Sequence, residues 1–221
     1  MSDNPVISLQ KVYFISGLGA DKRSFSLLDL SFCNPVFIDW IQPLPNESLA
    51  TYALRLRKQI SEEHPIIIGV SFGGMLVTEM AKADSSIKAI IISSNKTANE
   101  FPSLYRAGKY LPIYKWVPPT LLKRVALFRS LFFGPKGEKQ KELFKQILSD
   151  SDTRFTKWAI HSILYWNNNV VPQNITHIHG RSDKLLPCRR VKADYVVEKG
   201  THLMIMNQPE EISNLIKKLI V

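Results

Sequence analysis

Cysteine is scarce in this chain: 221 residues hold two, Cys33 and Cys188. That is too few for a disulfide framework, and their spacing is not that of a metal site. They read as reduced thiols, which points to a cytoplasmic protein. Long apolar runs are missing too. None approaches the roughly 18 residues of a membrane span, so no transmembrane segment is expected. The polar start Met1–Gln10 is followed by an apolar stretch that stops at Ile15, so no secretion signal is legible. There is no internal repeat, no low-complexity tract and no recognisable nucleic-acid-binding motif. Acidic residues are outnumbered, 19 against 29 Lys and Arg, for a net charge of +10. The deficit is local: Lys96–Asp150 carries eleven Lys/Arg and four Asp/Glu, or +7 of the total. A basic segment of this kind is a solvated surface, or one that draws in an anionic substrate. Docking to an anionic membrane or nucleic acid is a third reading, though no nucleic-acid partner is expected.

What is present is a strong alternation. "KVYFIS" (Lys11–Ser16), "PVFIDW" (Pro35–Trp40), "PIIIGV" (Pro65–Val70), "IKAIIISS" (Ile87–Ser94), "ITHIHG" (Ile175–Gly180) and "DYVVEK" (Asp194–Lys199) read as six strands. Near-continuous Ile/Val runs mark strands buried on both faces, as in a parallel sheet covered by helices. Between them lie helical patterns. Glu47–Ile60 places Leu49, Tyr52, Ala53 and Leu56 on one face. "FGGMLVTEMAKA" follows the third strand, and "PEEISNLIKKLIV" closes the chain with Pro209 in its first turn. The fold class expected is α/β, a mostly parallel sheet of about six strands flanked by helices. A chain of this length suits one domain, or one domain with an insertion. From Ala98 to about Asn168 no strand is convincing. "PTLLKRVALFRSLFFGP", "EKQKELFKQIL" and "TRFTKWAIHSILYW" read there as three helices. The expected division is core 1–97, helical insertion 98–168, core 169–221.

The most informative stretch is "IIIGVSFGGM", Ile66–Met75. At a glycine usage of roughly 7%, Gly-x-Ser-x-Gly arises by chance in about 5–10% of chains this long. Its flanks therefore carry the weight, and here a buried strand precedes it and a helix follows. A serine on such a turn stands exposed at the top of the sheet. The turn is strained and its neighbours must be small, which Gly69 and Gly73 satisfy. The helix that follows aims free N–H groups at the same spot, where an oxyanion can form. A nucleophilic serine needs a base, and the base an orienting acid. On an α/β sheet the chain order is Ser, then Asp or Glu, then His. Asp183 follows the fifth strand and His202 the sixth. In open α/β sheets sites form at the carboxyl ends of strands, where these three residues fall.

Together, Gly69-Val70-Ser71-Phe72-Gly73-Gly74, Ile178-His179-Gly180-Arg181-Ser182-Asp183 and Gly200-Thr201-His202 resemble the signatures of the α/β-hydrolase superfamily. "FISGLGADKRSF" resembles the family's His-Gly oxyanion loop, with Ser16 in place of the usual His. The resemblance covers nearly all of the chain outside the insertion, which it implies is a helical cap. It also implies a compact member that starts at the family's third strand. The implied catalytic set is Ser71 as nucleophile, His202 as base and Asp183 as orienting acid, with Leu18 and Phe72 backbone N–H groups as the oxyanion hole. The implied activity is hydrolysis of a small-molecule acyl ester or thioester through an acyl-enzyme, with no cofactor. Acyl transfer and C–C bond cleavage use the same residues. A non-catalytic ligand-binding or scaffold role is the alternative.

Other candidates are weaker. His177, His179 and Asp183 lack the spacing of the His-x-His-x-Asp-His metal pattern and no fourth ligand follows, so no metal is expected. His179 reads as a structural histidine beside the acid loop. Asp21 reads as the cap of a helix starting near Ser24, or as a residue that reaches the pocket from the loop after the first strand. Asp39 and Trp40 read as packing or as part of the pocket mouth. The leucines and aromatics of the insertion fit either an apolar acyl pocket or the insertion's own core.

Overall fold

A computed structural model describes residues 9–103, 105, 109–110, 117–118 and 135–221. Its centre is a sheet of six strands: β1 (Lys11–Ile15), β2 (Asn34–Phe37), β3 (Ile66–Val70), β4 (Lys88–Ile92), β5 (Ile175–Gly180) and β6 (Tyr195–Val197). The spatial order is β2-β1-β3-β4-β5-β6 and every pair is parallel. All six expected strands are present, and the edge strands are shorter than the sequence pattern. β2 ends at Phe37, the last residue in register with β1, opposite Phe14; the Ile38 N–H still donates to the Phe14 carbonyl at 2.9 Å. Ser16 leaves β1 to turn, its hydroxyl donating to the Ala20 carbonyl at 2.8 Å.

The continuous Ile/Val runs have a direct cause. Alternate residues of each strand feed two separate cores. Tyr13, Ile15, Ile67 and Ile91 pack beneath α1 (Leu49–Arg57) and α2 (Phe72–Ala83). Val12, Phe14, Ile68 and Ile90 pack on the opposite face, against Phe25 and the closing helix Pro209–Ile220. Helix α1 is shorter than its periodicity because Ser48 caps it, accepting from the Thr51 N–H at 3.1 Å. Glu47 instead pairs with Arg55 at 2.7 Å.

Between β4 and β5 run α3 (Glu138–Asp150) and α4 (Thr153–Tyr165), at the positions of two of the expected helices. The third expected helix, over 119–135, lies outside the described residues apart from Pro135. Two tryptophans fasten α4 to the core. Trp158 Nε1 donates to the Glu47 carbonyl at 3.0 Å, and Trp166 Nε1 to the buried Glu79 carboxylate at 2.6 Å. Glu79 also pairs with Lys82. Last come α5 (Met204–Asn207) and α6 (Pro209–Ile220), the latter with Glu210 and Glu211 in its first turn, where they complement the helix dipole.

Candidate active site

The strand order reverses between β1 and β3: the chain moves from β1 out to β2, then returns to the other side of β1. The loops leaving β1 and β3 diverge there and open a crevice at the carboxyl ends of the strands. Ser71 sits in it, on the turn from β3 into α2, with φ of 52°. That is the left-handed region, which costs a non-glycine residue on the order of 1–3 kcal/mol unless its surroundings enforce it. They do. The Ser71 N–H donates to the Ile92 carbonyl at 2.9 Å, and its own carbonyl accepts from Ser94 Oγ at 2.7 Å. Both flanking glycines are sterically required. A Cβ on Gly69 would lie 2.5 Å from the Gly73 carbonyl oxygen, and one on Gly73 would lie 2.4 Å from those of Ile15 and Ser16.

His202 reaches Ser71 from the loop between β6 and α5. Its Nε2 is 3.0 Å from Ser71 Oγ, and its Nδ1 is 2.8 Å from Asp183 Oδ2. The loops bearing Asp183 and His202 are pressed together. A Cβ on Gly180 would fall 2.3 Å from the Gly200 carbonyl oxygen, and Ser182 N–H donates to that same carbonyl at 2.9 Å. Asp183 is buried. Its second oxygen, Oδ1, accepts from the N–H groups of Leu185 and Leu186, each at 2.8 Å. Burial pushes the Asp183 carboxyl up. The His202 hydrogen bond and charge, with the Leu186 N–H and nearby His179, outweigh burial and hold it below the ordinary carboxylate value. The three residues singled out in the sequence are therefore brought into one hydrogen-bonded chain.

Leu18 and Phe72 line the same cavity as Ser71. Phe72 is the first residue of α2, so its N–H has no acceptor within the helix. The loop after β1 passes close by: a Cβ on Gly17 would stand 3.5 Å from Ser71 Cβ. Gly19, at φ of 70°, closes the turn in which Ala20 N–H donates to Gly17 O.

Above Ser71 and His202 is a cavity of about 500 Å³. Leu18, Met75, Ile147, Ile163, Leu186 and Met206 are among its walls, and no Lys, Arg, Asp or Glu lines it among the described residues. Two of these, Ile147 and Ile163, come from α3 and α4 and line the same cavity as Ser71.

The weaker candidates are also placed. Asp21 caps a short 3-10 turn, Lys22–Phe25, rather than a helix from Ser24, and is bound by Arg23 at 2.7 Å. Trp40 packs on Phe72 and Phe155 and donates from Nε1 to the Ala20 carbonyl at 2.8 Å. It thereby props the loop after β1 from behind. Asp39 is exposed. Among the described residues, no group of three or more His, Cys, Asp or Glu side chains is placed to hold a metal. Ser94, which donates to the Ser71 carbonyl, carries no signal in the sequence motifs, and the motifs that contain Gly180 and Gly200 do not show that these two glycines meet. Both glycines lie within the acid and base motifs, three residues before Asp183 and two before His202.

The sequence profile of the alpha/beta hydrolase family matches residues 12–215. No curated protein matches the chain significantly. Among solved structures, an esterase from Exiguobacterium antarcticum is similar with a TM-score of 0.74 and 15% identity, over 97% of this chain and 93% of that one. A lipase-esterase related protein from Clostridium acetobutylicum gives 0.72 and 14%, over 97% and 96%. An epoxide hydrolase from Bacillus megaterium gives 0.71 and 10%, over 96% and 93%. At these identities the likeness is one of fold.

Proposed function

The chain belongs to the alpha/beta hydrolase family, and from that premise we propose that it is a serine hydrolase acting on an acyl ester or thioester of a small molecule. The observation that carries this reading is the unbroken chain Ser71 Oγ–His202–Asp183, at 3.0 and 2.8 Å, beneath an apolar cavity of about 500 Å³. Ser71 Oγ attacks the acyl carbonyl carbon and passes its proton to His202 Nε2. The oxyanion forms between the N–H groups of Leu18 and Phe72, each able to contribute about 3 kcal/mol to the barrier reduction. The tetrahedral adduct collapses, and the alcohol or thiol leaves with the proton from His202. Water then attacks the acyl-serine by the same route, releasing the acid and restoring Ser71. Asp183 stays ionised throughout and holds the imidazole with its proton on Nδ1. Serine at position 71 favours acyl chemistry over epoxide opening, which in this family uses a carboxylate nucleophile.

In this reading, residues 1–97 and 169–221 form the catalytic core and 98–168 a helical cap. The acyl group occupies the apolar cavity, and the basic charge of the cap segment attracts any anionic part of the substrate. The compartment proposed is the cytoplasm, on the strength of the two unpaired thiols Cys33 and Cys188.

The test is a panel of chromogenic esters with acyl chains of graded length, plus an acyl-CoA, assayed on the wild type and on Ser71→Ala. Each buried methylene contributes about 0.8 kcal/mol. Hence kcat/KM should rise roughly fourfold per carbon until the cavity is full. Ser71→Ala should lose on the order of 10⁶ in turnover. Turnover that survives the mutation, or none by the wild type on any substrate, refutes the proposal. The second result would bring a non-catalytic binding role forward. Equal rates for neutral and anionic esters at low salt would remove the charge argument alone.

A further inference from the structure

His177 and His179 remain without a role in this chemistry, yet both are fully buried on β5. His177 Nε2 is 3.0 Å from His179 Nδ1, and His179 Nε2 is 2.8 Å from the Leu186 carbonyl oxygen. A carbonyl only accepts, so His179 must carry its proton on Nε2. Burial lowers the pKa of both rings and keeps them neutral. A neutral His179 then presents Nδ1 as an acceptor, so His177 donates from Nε2. The protons of the pair therefore point one way, toward the acid loop.

That direction has a target. Leu186 is held at both ends: its N–H donates to Asp183 Oδ1 at 2.8 Å, while its carbonyl accepts from His179. His179 Nε2 also stands 3.5 Å from Asp183 Oδ2, the oxygen that receives His202. Other charged groups near the pair are Lys96, which acts on His177, and Asp194, whose carboxylate accepts from the His177 backbone N–H at 2.7 Å.

We propose that His179, oriented by His177, is a positioning residue: by clamping the Leu186 peptide it fixes which oxygen of Asp183 faces His202. It touches neither substrate nor reacting atoms. The kinetic part of this inference rests on the serine-hydrolase reading; the geometric part does not.

The experiment compares His179→Phe, His179→Gln and His179→Asn with the wild type, after confirming cooperative thermal unfolding. Phe keeps bulk and loses the donor. Gln keeps a donor at similar reach, and Asn keeps polarity but falls short of Leu186. On the best ester of the panel, Phe and Asn should lower kcat by about 10²-fold, the scale of a misplacement near 1 Å, with KM changed less than about threefold. Gln should recover most of the loss. A second readout needs no turnover: nitrogen-15 histidine spectra of the resting protein. They should place the protons of His177 and His179 on Nε2, and the His202 Nδ1–H signal should broaden in Phe and Asn but persist in Gln. A folded Phe or Asn variant with wild-type kcat and an unchanged His202 signal overturns the proposal. So does a Gln variant no better than Phe. If Ser71→Ala retains turnover, the serine-hydrolase reading fails, and the spectra still decide the positioning role. If Phe does not fold, the contrast of Gln with Asn decides it.

Discussion

Replacing Asp183 by Asn tests the orientation of the site most directly. Oδ1 accepts two backbone N–H groups at 2.8 Å, from Leu185 and Leu186. An asparagine must keep its carbonyl oxygen there. The flipped amide would point its NH₂ at two donors and lose two buried hydrogen bonds, at about 1–3 kcal/mol each. Even the lower bound holds the unflipped form by roughly 30-fold. The NH₂ then faces His202 Nδ1, where the wild-type carboxylate accepts at 2.8 Å. A donor facing Nδ1 demands a bare Nδ1, so the imidazole proton moves to Nε2. Nε2 is the atom 3.0 Å from Ser71 Oγ. It becomes a donor to the serine and can no longer take its proton. The expected loss is about 10⁴ in kcat, the size seen for this change in a serine protease triad, or ~5 kcal/mol of barrier. The assay is kcat and KM on a chromogenic ester, paired with the nitrogen-15 tautomer pattern of His202. A variant within tenfold of the wild type, or one whose His202 keeps its proton on Nδ1, refutes the reasoning.

Gly69→Ala should damage both stability and turnover. Its Cβ would meet backbone atoms at 2.5–2.7 Å, so the start of α2 must retreat by about 0.9 Å to reach ordinary contact. Overpacking of this kind costs typically 1–3 kcal/mol in urea denaturation, and displacing Ser71 that far costs about 10²-fold in kcat; a variant unchanged in both would remove the steric account of the turn. Stability should also fall on mild acidification. The folded pKa of His177 and His179 lies below the unfolded value, near 6.5, so their neutral forms support the fold fully above that pH, and the support is lost as pH falls below it. Each group can contribute a slope of up to about 1.4 kcal/mol per pH unit, and His177→Phe with His179→Phe should flatten the dependence of the urea midpoint on pH below about 6.5. Asp183 acts lower down: its folded pKa is depressed, so its contribution is present above about pH 3.9 and lost as pH falls through the folded value. The stability gap between the wild type and Asp183→Asn should accordingly narrow below pH 4 in acid titration.

The six strands, and the chain order Ser71, Asp183, His202 at strand carboxyl ends, were legible in the sequence because each is encoded locally. Buried strands declare themselves by runs such as Ile66–Ile68, and a strained strand-to-helix turn by the small residues its sterics demand. Strand ends were less legible: β2 ends with its last residue in register with β1, Phe37 opposite Phe14, and register depends on the neighbour as well as on the strand. The turn capped by Asp21 begins at Lys22, two residues before Ser24, with the Asp21 carboxylate accepting from the Arg23 N–H. Four facts belonged to tertiary structure alone. They are the strand order that puts the loop after β1 beside Ser71, the approach of Gly180 to Gly200, the cavity walls drawn from α2, α3 and α4, and the histidine pair behind Asp183. Each joins residues tens of positions apart or depends on which way a side chain faces. Local patterns set which segments become strands and which residues can do chemistry. Distance between them is set only when long-range pairing closes the sheet.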